Sequence, residues 1–258
     1  RQIALRVGET EINGLDIRFE IEKDETSAPN PCQIEIYNLN PTNRAILSRY
    51  GNVPVLLEAG YSGHLGVIFK GDLVGCQHLK EGTSWKTVLA SGDGAMAMQT
   101  KRIDKSYVKG TPIKQVVEDL AQKIGLPKAS PLTHLKELDE LSARGFMVSG
   151  NPMAELSRIL SSKGLKASIQ NQSLQIRNNV EPVQKEAIVL NSQSGLIESP
   201  EAGTKGEIIV RALLMPDQMP GRQVKIESVV FNGFATIQSV RFIGSNFGAE
   251  WEAEMACI

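Results

Sequence analysis

The sequence predicts a mixed, mainly β fold in which two related antiparallel β-barrel or sandwich domains flank a small inserted α/β domain. Three observations carry this. Apolar residues alternate with polar ones through the first hundred positions, two helical stripes follow in mid-chain, and the alternation returns beyond Pro182. The implied division is 1–103, 104–180 and 181–258, which matches the usual size of compact domains for a chain of 258 residues.

In the first region Ile17, Phe19 and Ile21 alternate, as do Ile34 and Ile36, with a break between them at Pro29 to Pro31. A two-residue period of this kind buries one face of a strand. Asn38 to Thr42 opens a short helical passage ending near Ser48. Strands resume with Val55, Leu57 and Ala59, and further runs at 67–73, 75–79 and 84–90 are separated by glycine-bearing turns. An antiparallel meander fits this spacing.

The pattern changes near Lys101. Thr111 reads as an N-cap with Pro112 at the first helical position, and Ile113, Val116, Val117, Leu120 and Ile124 then share one helical face up to Gly125. The same syntax recurs at Asn151 and Pro152, with Met153, Leu156, Ile159 and Leu160 as the stripe and Gly164 as the stop. A hairpin follows, in which Leu165, Ala167 and Ile169 face Leu174 and Ile176 across a polar turn at Asn171 to Ser173. The last third reads as strands at 188–190, 208–214, 224–230, 236–242 and 250–256.

An internal echo links the outer regions. VPVLLEAGY (53–61) and IFKGDLVGCQHLKEGTSWKTVLASG (68–92) correspond to GRQVKIESVV (221–230) and FATIQSVRFIGSNFGAEWEAEMACI (234–258). Both copies present a strand with V-x-[LI]-E, a short loop, two more strand runs and a Trp-marked last strand, with Trp85 and Trp251 in equivalent places. The residues singled out as a structural or interface motif are Glu58, Tyr61, Gly71, Trp85, Gly221, Arg222, Glu227 and Trp251.

Motif searches yield no chemistry. His64, His78 and His134 stand apart without metal-ligand spacing, and Cys32, Cys76 and Cys257 are distant and odd in number, so reduced, buried thiols are the expectation. Neither a G-x-S-x-G elbow nor a P-loop is present; Tyr61 to His64 reads as a hairpin tip, and Gly92 to Gly94 as a turn. Glu137, Asp139 and Glu140 read as a solvated face, and Glu250, Glu252 and Glu254 as the polar face of one strand. The formal charge of −1 gives no global field for nucleic acid, and the basic group Lys101, Arg102, Lys105 and Lys109 beside Tyr107 reads as an exposed interdomain segment at least as well as a nucleic-acid contact. No run reaches the roughly 20 apolar residues of a membrane helix, and the N-terminal residues do not read as a signal peptide. The expectation is therefore a soluble protein without catalytic, cofactor or metal residues, made in the cytoplasm.

The segment IEIYNLNPTNRAILSRYGNVPVLLEAGY, the IFKGDLVG strand pair and Gly92-Asp93-Gly94 resemble the N-terminal domain of the baseplate hub proteins of tailed bacteriophages. GLIESPE and VRALLMPDQMPGRQVKIES are similar to that family's second β domain, and GTPIKQVVEDLAQKIG stands where the family places its insert. The resemblance covers nearly the whole chain. It implies tail-tube-like β domains, and a virion structural protein of the tail baseplate that forms a homotrimer. The trimer would be a pseudo-hexameric ring that joins the hexameric tail-tube protein to a spike or tip protein and meets other baseplate proteins. Its lumen would pass the tape-measure protein and, during ejection, DNA as cargo only. Two alternatives stay open: a cell-wall-degrading tail-tip component, which needs a convergent carboxylate pair, and a peptidoglycan-binding module over 104–178, which needs aromatic platforms where only Tyr107 and Phe146 are available.

Overall fold

The structure is a computed structural model, described for residues 1–130, 132, 135–178, 182, 186–204 and 206–258. The strands are β1 (Gln2–Val7), β2 (Thr10–Ile12), β3 (Ile17–Asp24), β4 (Asn30–Tyr37), β5 (Pro54–Tyr61), β6 (His64–Glu81), β7 (Ser84–Asp93), β8 (Ile103–Tyr107), β9 (Phe146–Gly150), β10 (Leu165–Gln170), β11 (Ser173–Asn178), β12 (Ile188–Leu190), β13 (Glu201–Ala202), β14 (Ile208–Leu213), β15 (Gln223–Glu227), β16 (Asn232–Ser245) and β17 (Trp251–Cys257). The helices are α1 (Pro41–Leu47), α2 (Ala95–Thr100), α3 (Ile113–Ile124) and α4 (Pro152–Ser161). The chain separates into two compact units: Arg1–Asp24, Asn30–Asp93 and Pro182–Ile258 make the first, Glu25–Pro29 and Gly94–Glu181 the second.

The first unit is mainly β, as the alternation requires, yet it is not two separate barrels. Both outer regions of the chain contribute to one 13-stranded sheet in the order β13-β14-β17-β16-β3-β4-β7-β6-β5-β1-β2, with β15 on β16 and β12 on β15. Among the described residues this order does not close on itself. The expected β-barrel or sandwich domains are thus not closed barrels among the described residues, and they are joined: β3, from the first region, pairs with β16, from the last, from Ser239 opposite Asp24 to Ser245 opposite Arg18. Local periodicity fixes which face of a strand is buried but carries no information on its partner. The core is lined as the alternation predicts: Ile17, Phe19, Ile21, Ile34, Ile36, Val55, Leu57, Ala59, Trp251, Ala253 and Met255 are all buried.

A buried ion pair lies in that core. Lys23 and Asp93 face each other at 3.8 Å with both side chains fully enclosed, and the ammonium lies 5.7 Å from the centre of the Phe69 ring. Burial pulls the Lys23 ammonium below the ordinary lysine range, against the opposing pull of Asp93. Asp93 thus ends β7, with Gly94 (φ 74°) as the N-cap of α2, where the sequence suggested a simple turn. The thiol of Cys257 is buried and pushed up to about 12 from 9.0. Its folded form therefore keeps a proton that the unfolded chain loses above pH 9 or so, and stability falls as pH rises through that window, by at most about 1.4 kcal/mol per unit. Replacing Cys257 by Ala is expected to flatten this alkaline slope, read as denaturation midpoints of both proteins at pH 8 and 10.

The second unit packs α3 and α4 with the antiparallel β8–β9 pair and the β10–β11 hairpin around a separate core that includes Val116, Leu120, Leu156, Leu160 and Ile169. Asn151 caps α4 as its sequence predicts: the amide oxygen accepts from Met153 N at 2.9 Å and Ala154 N at 3.1 Å, and Pro152 follows at the first helical position. The amide nitrogen also donates to Met98 O at 2.6 Å. Asn151→Ala should cost about 1 kcal/mol for the cap alone, measurable as a lower thermal midpoint. The cap of α3 differs from expectation. Pro112 itself is the extended cap residue, at φ −60° and ψ 131°, without a side-chain hydrogen bond, because Thr111 Oγ1 donates to Val108 O instead. Gly125 ends the helix in the left-handed region as predicted (φ 80°). The buried carboxylate of Glu25 is held by the Arg177 guanidinium. This is a charge pair that sequence spacing could not reveal.

Candidate assembly surface

The internal echo holds strand by strand and in register. On β6 an extra residue, Val74, interrupts pairing with β7 between Leu73 and Gly75; on β16 an extra residue, Gln238, interrupts pairing with β17 between Ile237 and Ser239. Each is a β-bulge of one residue. Six residues beyond Val74, Lys80 lies opposite Trp85; six beyond Gln238, Gly244 lies opposite Trp251. Three residues before the bulges, Gly71 pairs with Val55 and Ala235 with Val224. This brings the two V-x-[LI]-E words, Val55 to Glu58 and Val224 to Glu227, into the same place. Outward, Ile36 pairs with Thr87 and Ala212 with Ala253, each two residues past its Trp. The strands β3-β4-β7-β6-β5 therefore repeat as β13-β14-β17-β16-β15.

The two copies meet within the chain at the β16–β3 pair. Arg241 donates to Glu20 Oε1 from Nε at 2.8 Å and from Nη2 at 2.6 Å, and Arg18 pairs with Glu250 at 3.0 Å. Asn246 clamps the end of the junction: its side-chain oxygen accepts from Ile17 N at 2.7 Å, and its side-chain nitrogen donates to Leu15 O at 2.8 Å. Near this end Phe19 packs edge-on against Trp251, with ring centres 6.0 Å apart, and a side chain on Gly244, its partner in the pair, would overlap the Phe19 ring.

The eight residues of the proposed motif fall along these two copies rather than into one cleft. Tyr61 and Trp251 do meet, 6.2 Å between ring centres, with the Arg1 guanidinium 5.6 Å from the indole; burial pushes the Tyr61 hydroxyl above the ordinary tyrosine range, against the influence of Arg1. The two tryptophans share a register but not an environment: Trp251 is 2% exposed and Trp85 36% exposed. Trp85 instead carries the Arg44 guanidinium 3.9 Å over its ring. Gly71 is a packing requirement, since a Cβ there would come within 2.8 Å of Gly92 O. Glu227 accepts from Asn191 at 3.1 Å and Lys225 at 2.6 Å, and these bonds hold its carboxyl below the usual range. Glu58 pairs with Val67 in β5–β6, Gly221 adopts φ 85°, and the buried Arg222 Nε has no hydrogen-bond partner among the described residues.

The other groups weighed in the sequence do not converge. Glu254 pairs with Arg211 and Glu140 with Lys163. His78 sits between Thr87 Oγ1 at 2.9 Å and Ser48 Oγ at 3.0 Å, and His64 stands opposite Tyr61 at the β5–β6 tip. His134 lies outside the described residues. Among the described residues no three His, Cys, Asp or Glu side chains gather as a metal site, and no helix is long and apolar enough to cross a membrane. In the basic group, Lys105 pairs with Asp119 at 2.6 Å and Arg102 donates to Gln99 and Lys101 carbonyls. Tyr107, a candidate sugar platform, is buried and stacked on Phe146 with ring centres 5.4 Å apart, and its hydroxyl donates to Asp119 at 2.9 Å.

The fold is shared with solved structures of tail proteins. The chain is similar to the 43 kDa tail protein of prophage MuSo2 from Shewanella oneidensis, at 10% identity and a TM-score of 0.70, covering 100% of this chain and 96% of that one. It is similar to a tail protein from Neisseria meningitidis MC58, at 11% identity and a TM-score of 0.67, covering 99% and 95%. It is also similar to an E. coli component of the type VI secretion system, at 14% identity and a TM-score of 0.66, covering 98% and 76%. No curated protein sequence matches the chain. A family model described as Baseplate hub gp41 matches residues 2–242. A match of that extent, on a chain whose fold is that of phage tail proteins, makes this protein a member of the baseplate hub gp41 family.

Proposed function

We propose that this hub protein is a non-enzymatic ring component in which three chains present six related β modules, so that a homotrimer mates with the hexameric tail tube. Residues 1–103 and 181–258 supply the two modules, and 104–180 form the insert between them. The observation that carries this reading is the in-register repeat, because two equivalent modules per chain convert threefold symmetry into near-sixfold symmetry. A head-to-tail contact repeated by rotation closes into a ring. The ring would connect the tube to a spike or tip protein and to other baseplate proteins within the virion tail, and its lumen would pass the tape-measure protein and DNA. The solved relative from E. coli is described as structurally similar to the T4 tail proteins gp27 and gp5, which supports a place in the tail. Another solved neighbour is a Francisella PdpA-VgrG complex. Exposed apolar residues at the β15–β16 tip, Val229, Val230 and Phe234, offer one surface for such partners.

Light scattering across a wide concentration range, with a parallel assay of peptidoglycan release, tests the proposal. A species of three chains without lytic activity is the expected result. A monomer at every concentration would remove the ring, and lysis would remove the structural reading.

A further inference from the structure

The sheet order contains the same four-strand run twice, β13-β14-β17-β16 and then β3-β4-β7-β6, joined where β16 meets β3. Every strand of the first run has its counterpart in the second, so the run has a leading edge, β13 or β3, and a trailing edge, the outer half of β16 or β6. Within the chain one trailing edge is covered by one leading edge, over Ser239 to Ser245. The other pair is left open. Beyond its bulge β6 pairs with β7 alone among the described strands, and β13 pairs with β14 alone.

We infer that the outer half of β6 is covered by β13 of a second copy of this chain, in the register that β3 adopts on β16. This rests on the ring reading above and specifies the strands that would make its contact. The register follows from the counterparts. Ile21 and Ala202 both sit next to a β4 or β14 residue, Cys32 or Ile208, that is itself paired with the residue six past the module's Trp, Ser91 or Cys257. Phe242 and His78 both stand four residues past their bulge, and Ile243 and Leu79 five. Since Ile21 faces Phe242 and Glu20 faces Ile243 in the chain, Ala202 is placed opposite the second copy's residue 78 and Glu201 opposite its residue 79.

Exposure agrees with an edge awaiting its cover. The counterparts of the covered positions 240, 242, 244 and 245, all buried on β16, are half-buried or exposed on β6. Val74 is 57% and Leu79 44% exposed there, and Ile197, which runs beside β14 just ahead of β13, is 44% exposed. Open edges with apolar side chains are a liability unless paired.

The test uses the full chain with Leu79→Cys and Glu201→Cys in a Cys76→Ser background, oxidised at a concentration where light scattering gives the assembly mass. More than half of the chains should run as a covalent trimer on a non-reducing gel, against less than a tenth for either single variant or for Leu65→Cys with Glu201→Cys. A trimer by mass that cross-links no better than the single variants would overturn this junction and leave the ring standing. Covalent head-to-tail chains without a closed trimer would support the junction and overturn the ring. A monomer at every concentration would overturn both. Hydrogen exchange on the unmodified protein gives an answer independent of the substitutions: in the trimer, amides of 75–81 that point away from β7 should exchange at least tenfold more slowly than in the diluted monomer. Equal rates in the two states would overturn the inference.

Discussion

Phe19→Ala should be among the most damaging single substitutions, lowering the stability of the first unit by about 3–5 kcal/mol. Phe19 lies on β3 at the one place where the two modules join inside the chain, fully buried, edge-on to Trp251 and over the bare backbone of Gly244. Removing the ring leaves a cavity whose walls are sheet backbone and a large indole, neither of which can collapse freely. With about 2–4 °C per kcal/mol for a unit of this size, the thermal midpoint should fall by about 10 °C. The same site gives a sharper check. Gly244→Ala alone should cost about 1–3 kcal/mol, because its methyl group overlaps the Phe19 ring. In the Phe19→Ala background that cost should vanish, so a double-mutant cycle by urea denaturation at one protein concentration should show non-additivity of at least 1 kcal/mol. Additive losses would mean that the ring and the glycine do not share this space.

Lys23→Met should cost about 3 kcal/mol or more, since it takes the cation at 3.8 Å away from the fully buried Asp93 carboxylate. Replacing both partners with apolar residues, Lys23→Met with Asp93→Leu, should recover most of that loss, because the enclosed pair also carries the desolvation of two charges. The pH dependence has a definite sign. Burial lowers the Lys23 pKa, so below the ordinary value of 10.5 the unfolded chain binds more protons than the folded one, and this residue makes stability rise with pH. The difference in stability between wild type and Lys23→Met should therefore widen as pH rises toward 10.5. Chemical denaturation at pH 7, 8.5 and 10 reads it, and a constant difference would show that Lys23 titrates alike in both states.

How much of this was legible in the sequence follows from what each signal encodes. The two-residue period at Ile17 to Ile21 and Trp251 to Met255 reports a buried face, and those faces are buried. The Asn151 and Pro152 pair states a helix start in full, since cap and first-turn proline act within four residues. The V-x-[LI]-E words and the two tryptophans suggested a repeat, and the matching bulges at Val74 and Gln238 gave it a register. By contrast, Thr111 looked like a cap of equal quality, but its hydroxyl had a nearer acceptor in the Val108 carbonyl.

By itself, then, the sequence determined the mainly β character, the mid-chain helices and the kinship with baseplate hubs, and it suggested the repeat, all of which rest on local period, local caps or the order of words along the chain. Only the tertiary structure decided that the two β regions share one sheet, that β3 lies on β16, that Lys23 faces Asp93 and that Glu25 holds Arg177. The physical reason is common to all four. A strand's hydrogen-bonding edge is its backbone, identical for every sequence, and the partners in these pairs lie from 70 to more than 200 residues apart. Which edge meets which is chosen by the packing of the whole core, and no short stretch of residues records it.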